Sequence, residues 1–475
     1  MSKQYNRKEF LKLAALANIA LCAPALSFAN DFFSKDETLS NKNVDYFKKG
    51  DVTYETLRQG FNKRINKYPA IIALCKNTEG VSDAVKYAAA NSLAVTIKSG
   101  GHCMEGLSCN DGGMVVNLSL LNTIQWLNNS TIKVGPGCTL SQLYDNLLPK
   151  GKIIPGGSCG GVGIGGLTLG GGYGLLGRQF GLTCDSLIDV TMVDGKGNIC
   201  TTANDKELLW ACKGGGNGNF GVITEMTFKV HKAPTSLQSM RFKAFNVSAE
   251  KAASILEQWF TLSADLPKSC FSAFVLNGKT IYILLTNTDK YSGTALTFIQ
   301  KLTKLVDKVT RNGPQPISKA LKTYYGQKGP VNFKNASAGL YKNYDEIRSF
   351  IPDVLAKVIS MPRMIYQVNI LGGNIQLPDL EATAAFPHRA CTYFSELQAY
   401  WEDPKKAAGL ISNFEIIQKI FSNNGITTQY RNYADINFKN WELSYYGNNY
   451  SRLQATKDKY DPQNLIRSEQ SVRNT

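Results

Sequence analysis

Ala94-Val95-Thr96-Ile97-Lys98-Ser99-Gly100-Gly101-His102 reads as a short strand running into a serine–glycine–glycine turn that ends on a histidine. Upstream, Ala70–Leu74 is another apolar run of strand length. Between the two, Thr78 suits a helix N-cap. Val81, Ala84, Val85, Ala88 and Ala89 then fall on one helical face. Residues 70–98 are therefore expected to form a βαβ-like unit, with His102 just beyond its second strand. Such strand ends are where α/β folds hold ligands. Glycines placed there leave backbone N–H groups free to cradle a diphosphate. The histidine either completes the turn with a hydrogen bond or meets a ring system bound against it. This segment alone leaves both readings open.

Further strand-like runs follow at Met114–Leu118 and Thr131–Val134, and Thr139 precedes an amphipathic helix carrying Leu140, Leu143, Tyr144, Leu147 and Leu148. The densest glycine stretch is Pro155 to Gly181. Within it Gly161, Gly163 and Gly166 match GxGxxG, and Asp185 lies near the spacing of a ribose-binding acid. A dinucleotide fingerprint follows an apolar strand and opens a helix. No clean strand precedes this one, and Leu167–Gly174 is too glycine-rich for a good helix. Backbone pressed against a large planar ligand accounts for the segment better. Cys159 inside it is either a small filler or a thiol facing that ligand. A hairpin is expected around Asp194-Gly195-Lys196-Gly197. Another glycine loop, Lys213–Val222, runs into a strand over Val222–Val230.

The texture changes after Ala233-Pro234. Asn277-Gly278 separates two strand-like runs, and amphipathic helices are expected at about 248–262 and 291–308. Residues 235–425 therefore read as an α+β second domain. From Tyr430 the chain is aromatic again: Tyr430-Arg431-Asn432-Tyr433, Trp441, then Tyr445 to Tyr450. A tyrosine serves as a general base if its pKa falls from about 10; otherwise such residues pack.

The chain has 475 residues, enough for two or three cores. It carries 53 basic against 37 acidic side chains, a net +16, but the basic residues are scattered. That distribution argues for a basic soluble surface and against nucleic-acid binding. Arg7 and Lys8 precede an apolar stretch from Leu11 to Cys22, and Ser27-Phe28-Ala29 offers a small-x-small cleavage site. This is the pattern of a signal peptide over residues 1–29. The apolar run is too short to span a bilayer, so no stable membrane span is expected. Asn6 to Lys12 resembles a twin-arginine export signal, with Lys8 in place of the second arginine. An exported protein, periplasmic or secreted, follows. Eleven cysteines include no CxxC pair, and only three histidines exist, so no metal site is expected.

Taken in order, these segments resemble the berberine bridge enzyme-like oxidases of the PCMH-type, or vanillyl-alcohol oxidase, flavoprotein superfamily. Ser99-Gly100-Gly101-His102, Gly177 to Leu182 with Asp185, and Gly218-Asn219-Phe220-Gly221-Val222 carry the resemblance. So do Phe386-Pro387-His388-Arg389, Tyr430-x-Asn432-Tyr433, and Tyr460-Asp461-Pro462-Gln463-Asn464 with Gln470-Ser471. The resemblance implies an α+β architecture: a two-part PCMH-type FAD-binding domain over 30–234, a substrate domain with an antiparallel sheet over 235–425, and a segment 426–475 returning to the first. It implies FAD linked through His102 and also through Cys159, whose motif here reads Cys-Gly-Gly-Val where Cys-Pro-Thr-Val is commoner. Cofactor contacts would come from Ser99, Gly100, Gly101, Gly157, Val162, Gly165, Gly166 and Gly172. Asn219, Gly221, Val222, Asn432 and Tyr433 would complete them. Tyr430 would be the catalytic base. Glu396 would be a second acid/base near the pocket or a carboxylate on a helix face. Val162 stands where oxygen access is gated. The implied activity is oxidation of a hydroxyl group on a sugar, alcohol or secondary metabolite by hydride transfer, with O2 yielding H2O2. The alternatives are a dehydrogenase serving a quinone or protein acceptor, and a non-catalytic binding protein.

Overall fold

The computed structural model describes residues 39–326 and 329–475. The export segment expected over residues 1–29 lies outside the described residues. The first sheet contains β1 (Val44–Phe47), β2 (Ile71–Cys75), β3 (Val95–Lys98) and β4 (Met114–Asn117), in the order β1-β2-β4-β3. β2 and β3 both run parallel to β4, so β4 inserts between the strands of the βαβ unit. The crossover helix Thr78–Ala90 buries Val81, Ala84, Val85 and Ala88 against Ile71, Ala73, Val95 and Val116. Its cap is Asn77, whose side chain accepts from Gly80 N at 2.8 Å, and Thr78 is the first helical residue. Two adjacent residues of capping type made that boundary ambiguous in sequence.

A five-stranded antiparallel sheet follows, made of β5 (Ile124–Asn128), β6 (Thr131–Val134), β8 (Leu187–Asp194), β9 (Ile199–Thr201) and β10 (Gly221–Lys229). The short strands β7 (Lys152–Ile153) and β11 (His231–Lys232) pair separately. Helix Leu140–Leu147 starts with a complete capping box, Thr139 with Gln142, and packs Leu140, Leu143 and Leu147 with Ile132 and Phe228. Contrary to the sequence reading, the GxGxxG stretch does open a helix, Ile164–Leu169. It is six residues long and stops at Gly170, and only the two-residue β7 precedes it, so it is no dinucleotide fingerprint.

The third sheet is antiparallel and seven-stranded, ordered β15-β12-β14-β13-β17-β18-β16. Its strands are β12 (Ser236–Ala244), β13 (Cys270–Asn277), β14 (Thr280–Asn287), β15 (Lys308–Pro316), β16 (Asn332–Tyr341), β17 (Met364–Ile370) and β18 (Tyr393–Trp401). The helix expected over 291–308 occupies only Thr294–Thr303, and the chain then extends into β15. Helices Ala249–Ser263, Ile351–Ser360 and Ala407–Asn423 cover one face, with Trp259, Leu256, Val354, Leu355 and Phe414 in its core. Along β18, Tyr393, Leu397, Ala399 and Trp401 enter that core. The alternate residues Phe394, Glu396, Gln398 and Tyr400 share the opposite face. Glu396 is thus a strand residue and not the helix-face carboxylate that the sequence left open.

Ion pairs and a returning tail tie the parts together. Arg389 meets Asp185 at 2.6 Å and 3.1 Å through two nitrogens. Arg178 donates to the carbonyls of Leu266 and Cys270 at 2.6 Å and 2.9 Å. Past Tyr430, Trp441, Tyr445, Tyr446 and Leu453 join the core of the five-stranded sheet. Residues 465–467 then lie along the edge of β3, with Val95 N donating to Leu465 O and Arg467 N to Val95 O.

Candidate active site

A cavity of about 840 Å³ lies where the three sheets and the tail converge. Its first wall is the end of β3. The Ser99 hydroxyl donates to Pro136 O at 2.6 Å and holds the turn. A Cβ on Gly100 would lie 2.9 Å from Gly163 Cα, so the two glycine segments cross with no room for a side chain. Gly101 has φ +70°, a left-handed conformation that favours glycine. Beneath it, Lys98 donates to Leu57 O at 2.6 Å and to Gln59 O, and burial lowers its pKa to about 8. This pins the segment bearing Phe61, which stacks on the His102 ring at 4.3 Å and 17°. Burial depresses the His102 pKa to about 4, so the imidazole is neutral at ordinary pH. Neither ring nitrogen has a hydrogen-bond partner among the described residues.

The glycine segment forms the facing wall. Gly157, Cys159, Val162, Gly165 and Gly166 all line the cavity. Gly161 passes so close to His102 that a Cβ there would lie 3.0 Å from Nε2. Cys159 is half-buried. Burial raises its thiol pKa, and the N–H groups of Gly161 and Val162 oppose that rise.

Tyr430, Asn432 and Tyr433 close the site. The Tyr430 hydroxyl accepts three hydrogen bonds, from Gly172 N at 3.0 Å, Asn432 Nδ2 at 3.1 Å and Tyr173 N at 3.3 Å. Burial nevertheless pushes its pKa up to about 12, against the downward shift a base requires; the three donors oppose the rise. Asn432 also donates to Leu167 O at 3.0 Å and accepts from Asn217, which lines the cavity.

Four residues named from the sequence do not line the cavity. Gly172 supports Tyr430 through its N–H. Asn219 is buried and bonds to Gly215 O, the Tyr446 hydroxyl and Val472 N, anchoring the tail. Val222 packs in the first sheet's core while its neighbour Gly221 reaches the cavity. Glu396 sits behind the wall, bonded by Asn335 Nδ2 at 3.2 Å and Asn369 Nδ2 at 3.3 Å. Burial lifts its pKa to about 6. Two residues further along β18, Gln398 does line the cavity and accepts from the Tyr400 hydroxyl at 3.0 Å. Phe61, Phe333, Asn335 and Tyr400 also line it and went unnoticed in sequence, since no local motif marks them.

The residues present fit FAD. The cavity lies within the roughly 300–1,000 Å³ range of small-molecule and cofactor sites. Gly157, Gly166 and Gly218 line it with no atom nearer than 3.6 Å to a built Cβ, so open backbone faces the space. Thr96 and Asn335 line it too, and Thr96 Oγ1 and Asn335 Oδ1 have no hydrogen-bond partner among the described residues. Among those residues no helix is long and apolar enough to cross a membrane.

Comparison with known proteins agrees with this fit. Residues 69–203 match the FAD binding domain, and residues 429–473 match the berberine and berberine-like domain. An uncharacterised FAD-linked oxidoreductase from Bacillus subtilis (strain 168) is 29% identical over 443 residues, covering 89% of this chain and 96% of the relative. A chitooligosaccharide oxidase from Gibberella zeae is 28% identical over 472 residues, covering 92% and 93%. Among solved structures, a flavoenzyme of caerulomycin biosynthesis superposes with TM-score 0.84 at 25% identity, covering 92% of this chain and all of that one (100%). Aclacinomycin oxidoreductase gives 0.82 at 25% identity, covering 91% and 100%. The chain is an FAD-linked oxidoreductase that carries the FAD binding domain and the berberine and berberine-like domain.

Proposed function

We propose that the protein is an exported oxidase of a hydroxyl group on a sugar, alcohol or secondary metabolite, with FAD bound covalently through His102 and Cys159 and O2 as the final acceptor. One observation carries this reading: a single cavity holds His102, Cys159, Val162 and Tyr430 on its walls. FAD, when bound, would supply the hydride acceptor for the carbinol carbon and the route for two electrons to O2, with H2O2 as product.

The chain's own residues supply the rest. His102 is neutral and stacked, so a ring nitrogen keeps its lone pair for attachment at the flavin 8α carbon. Cys159, on the facing wall, would hold the flavin through a second link. The Tyr430 oxygen receives the substrate hydroxyl proton as the carbonyl forms. Its three N–H donors stabilise the anion that must exist before that transfer. Gln398 and Tyr400 line the side of the cavity built by the third sheet and would contact the substrate. Glu396 acts behind them through Asn335. Val162 lines the path for oxygen. The chitooligosaccharide oxidase among the relatives supports a sugar hydroxyl as one candidate. The charged and apolar pattern of residues 1–29 supports export to the periplasm or beyond.

The test begins with acid precipitation of purified protein. Yellow colour should stay with the pellet, and colour that leaves entirely with the supernatant defeats covalent attachment. A peroxide-coupled screen over sugars, alcohols and polyketide glycosides, run in an oxygen electrode, then tests the oxidase. Turnover without oxygen uptake would transfer the reading to a dehydrogenase.

A further inference from the structure

The cavity walls come from stretches far apart in sequence, and one buried ammonium group touches three of them. Lys334 lies on β16 between Phe333 and Asn335, both of which line the cavity. Its Nζ is 2.6 Å from Glu105 Oε1 and 2.7 Å from Asp435 Oδ1, and all three side chains are 2% exposed. Glu105 follows His102 by three residues, and Asp435 directly follows the cavity-lining stretch Tyr430–Ala434. The ammonium also lies 5.5 Å from the centre of the Phe414 ring.

Neighbouring polar groups reinforce the junction. Arg64 holds the other Glu105 oxygen at 2.9 Å and donates to Phe333 O at 3.1 Å. Asn62 Nδ2 donates to Met104 O at 2.8 Å and to Phe333 O at 3.0 Å. Two cations thus balance two carboxylates where the histidine loop, β16 and the tyrosine segment meet. Burying such ions is no economical source of stability, since apolar residues of similar volume usually serve as well or better. What an ion cluster adds is a fixed register between segments.

We propose that Lys334 is a positioning residue that sets the separation between the His102 loop and the Tyr430 segment, and thereby governs attachment of FAD. The proposal rests on His102 being the anchor. Without the ammonium, Asp435 has no counter-ion and the loops part. His102 then no longer meets its target carbon in attack geometry, where a displacement of about 1 Å can cost on the order of 100-fold.

Two variants test this. Lys334→Met leaves Asp435 buried and uncompensated. Lys334→Met/Asp435→Asn removes that pair and keeps Arg64 balanced against Glu105. Acid-stable flavin per chain and Tm are measured on the purified proteins. We expect Tm to fall in the single variant and to recover in the double, while acid-stable flavin stays at least about tenfold below wild type in both. Full flavin in the double variant would overturn the proposal, because charge balance alone would then explain the lysine. If the single variant does not fold, the double decides. If wild type itself holds FAD only reversibly, the covalent reading fails separately, and FAD Kd is read instead. A Kd raised about tenfold in the double variant supports the positioning role, and an unchanged Kd refutes it.

Discussion

Replacing Tyr430 with phenylalanine deletes one oxygen on which three N–H donors converge. Asn432 Nδ2 keeps a second partner in Leu167 O, so the variant strands two backbone N–H groups, that of Gly172 buried and that of Tyr173 part-buried at the cavity. At about 1–3 kcal/mol for the buried donor and less for the part-buried one, stability should fall by roughly 1–4 kcal/mol. If the oxygen is the base, its loss should also lower kcat by about 10²- to 10⁴-fold, or roughly 3–5 kcal/mol of barrier. Anaerobic stopped-flow reduction of the flavin at saturating substrate isolates that step, and thermal melting follows stability. The hydroxyl titrates near 12 in this structure. A base held above the working pH gives a rate that rises toward alkaline pH, and the variant should lose that rise. Flavin reduction within a few-fold of wild type, in a variant whose Tm has fallen, would show that Tyr430 only holds the Gly172–Tyr173 turn.

Four further outcomes are expected. Val162→Ile narrows a cavity wall. Reoxidation by O2 should slow several-fold while anaerobic reduction by substrate is unchanged, as separate stopped-flow mixes would report. Arg389→Met leaves the Asp185 carboxylate, 6% exposed, without its cation. Denaturant unfolding should show a loss of about 3–5 kcal/mol. Acid titration should expose His388, which burial holds at a pKa of about 4 against 6.5 for a free histidine. A depressed histidine contributes stability that is complete above pH 6.5 and lost as pH falls toward 4, roughly 3 kcal/mol here. His388→Gln should flatten the decline of Tm over that window. Glu396, raised from 4.5 to about 6, works the other way: its contribution is complete below 4.5 and lost as pH rises through 6. Glu396→Gln should therefore steepen the same decline.

Local signals carried much of the architecture. The helix start at Thr139, the Asn277-Gly278 hairpin and the helical face from Val81 to Ala88 each involve residues near one another in sequence, and all appear in the structure. The glycine segments were legible for the same reason, since backbone that must cross backbone excludes side chains. Pairings over long separations were not legible. Nothing near Phe61 marks it as the ring beneath His102, and nothing in the GNFGV motif says that Asn219 serves the tail while Gly221 serves the cavity. On β18 the period of two puts Glu396 and Gln398 on one face. Only their depth, set by the third sheet's packing, decides which of them reaches the cavity.

The pairing of residues 465–467 with β3 has a consequence for biosynthesis. Val95 and Ile466, joined in a parallel bridge, are separated by roughly 370 residues. At a synthesis rate of about 5–20 residues per second, the edge beside the histidine turn waits about 20–70 s for its partner. The nascent chain must hold a half-built sheet through that interval, and a chain cut short before residue 465 would leave that edge unpaired.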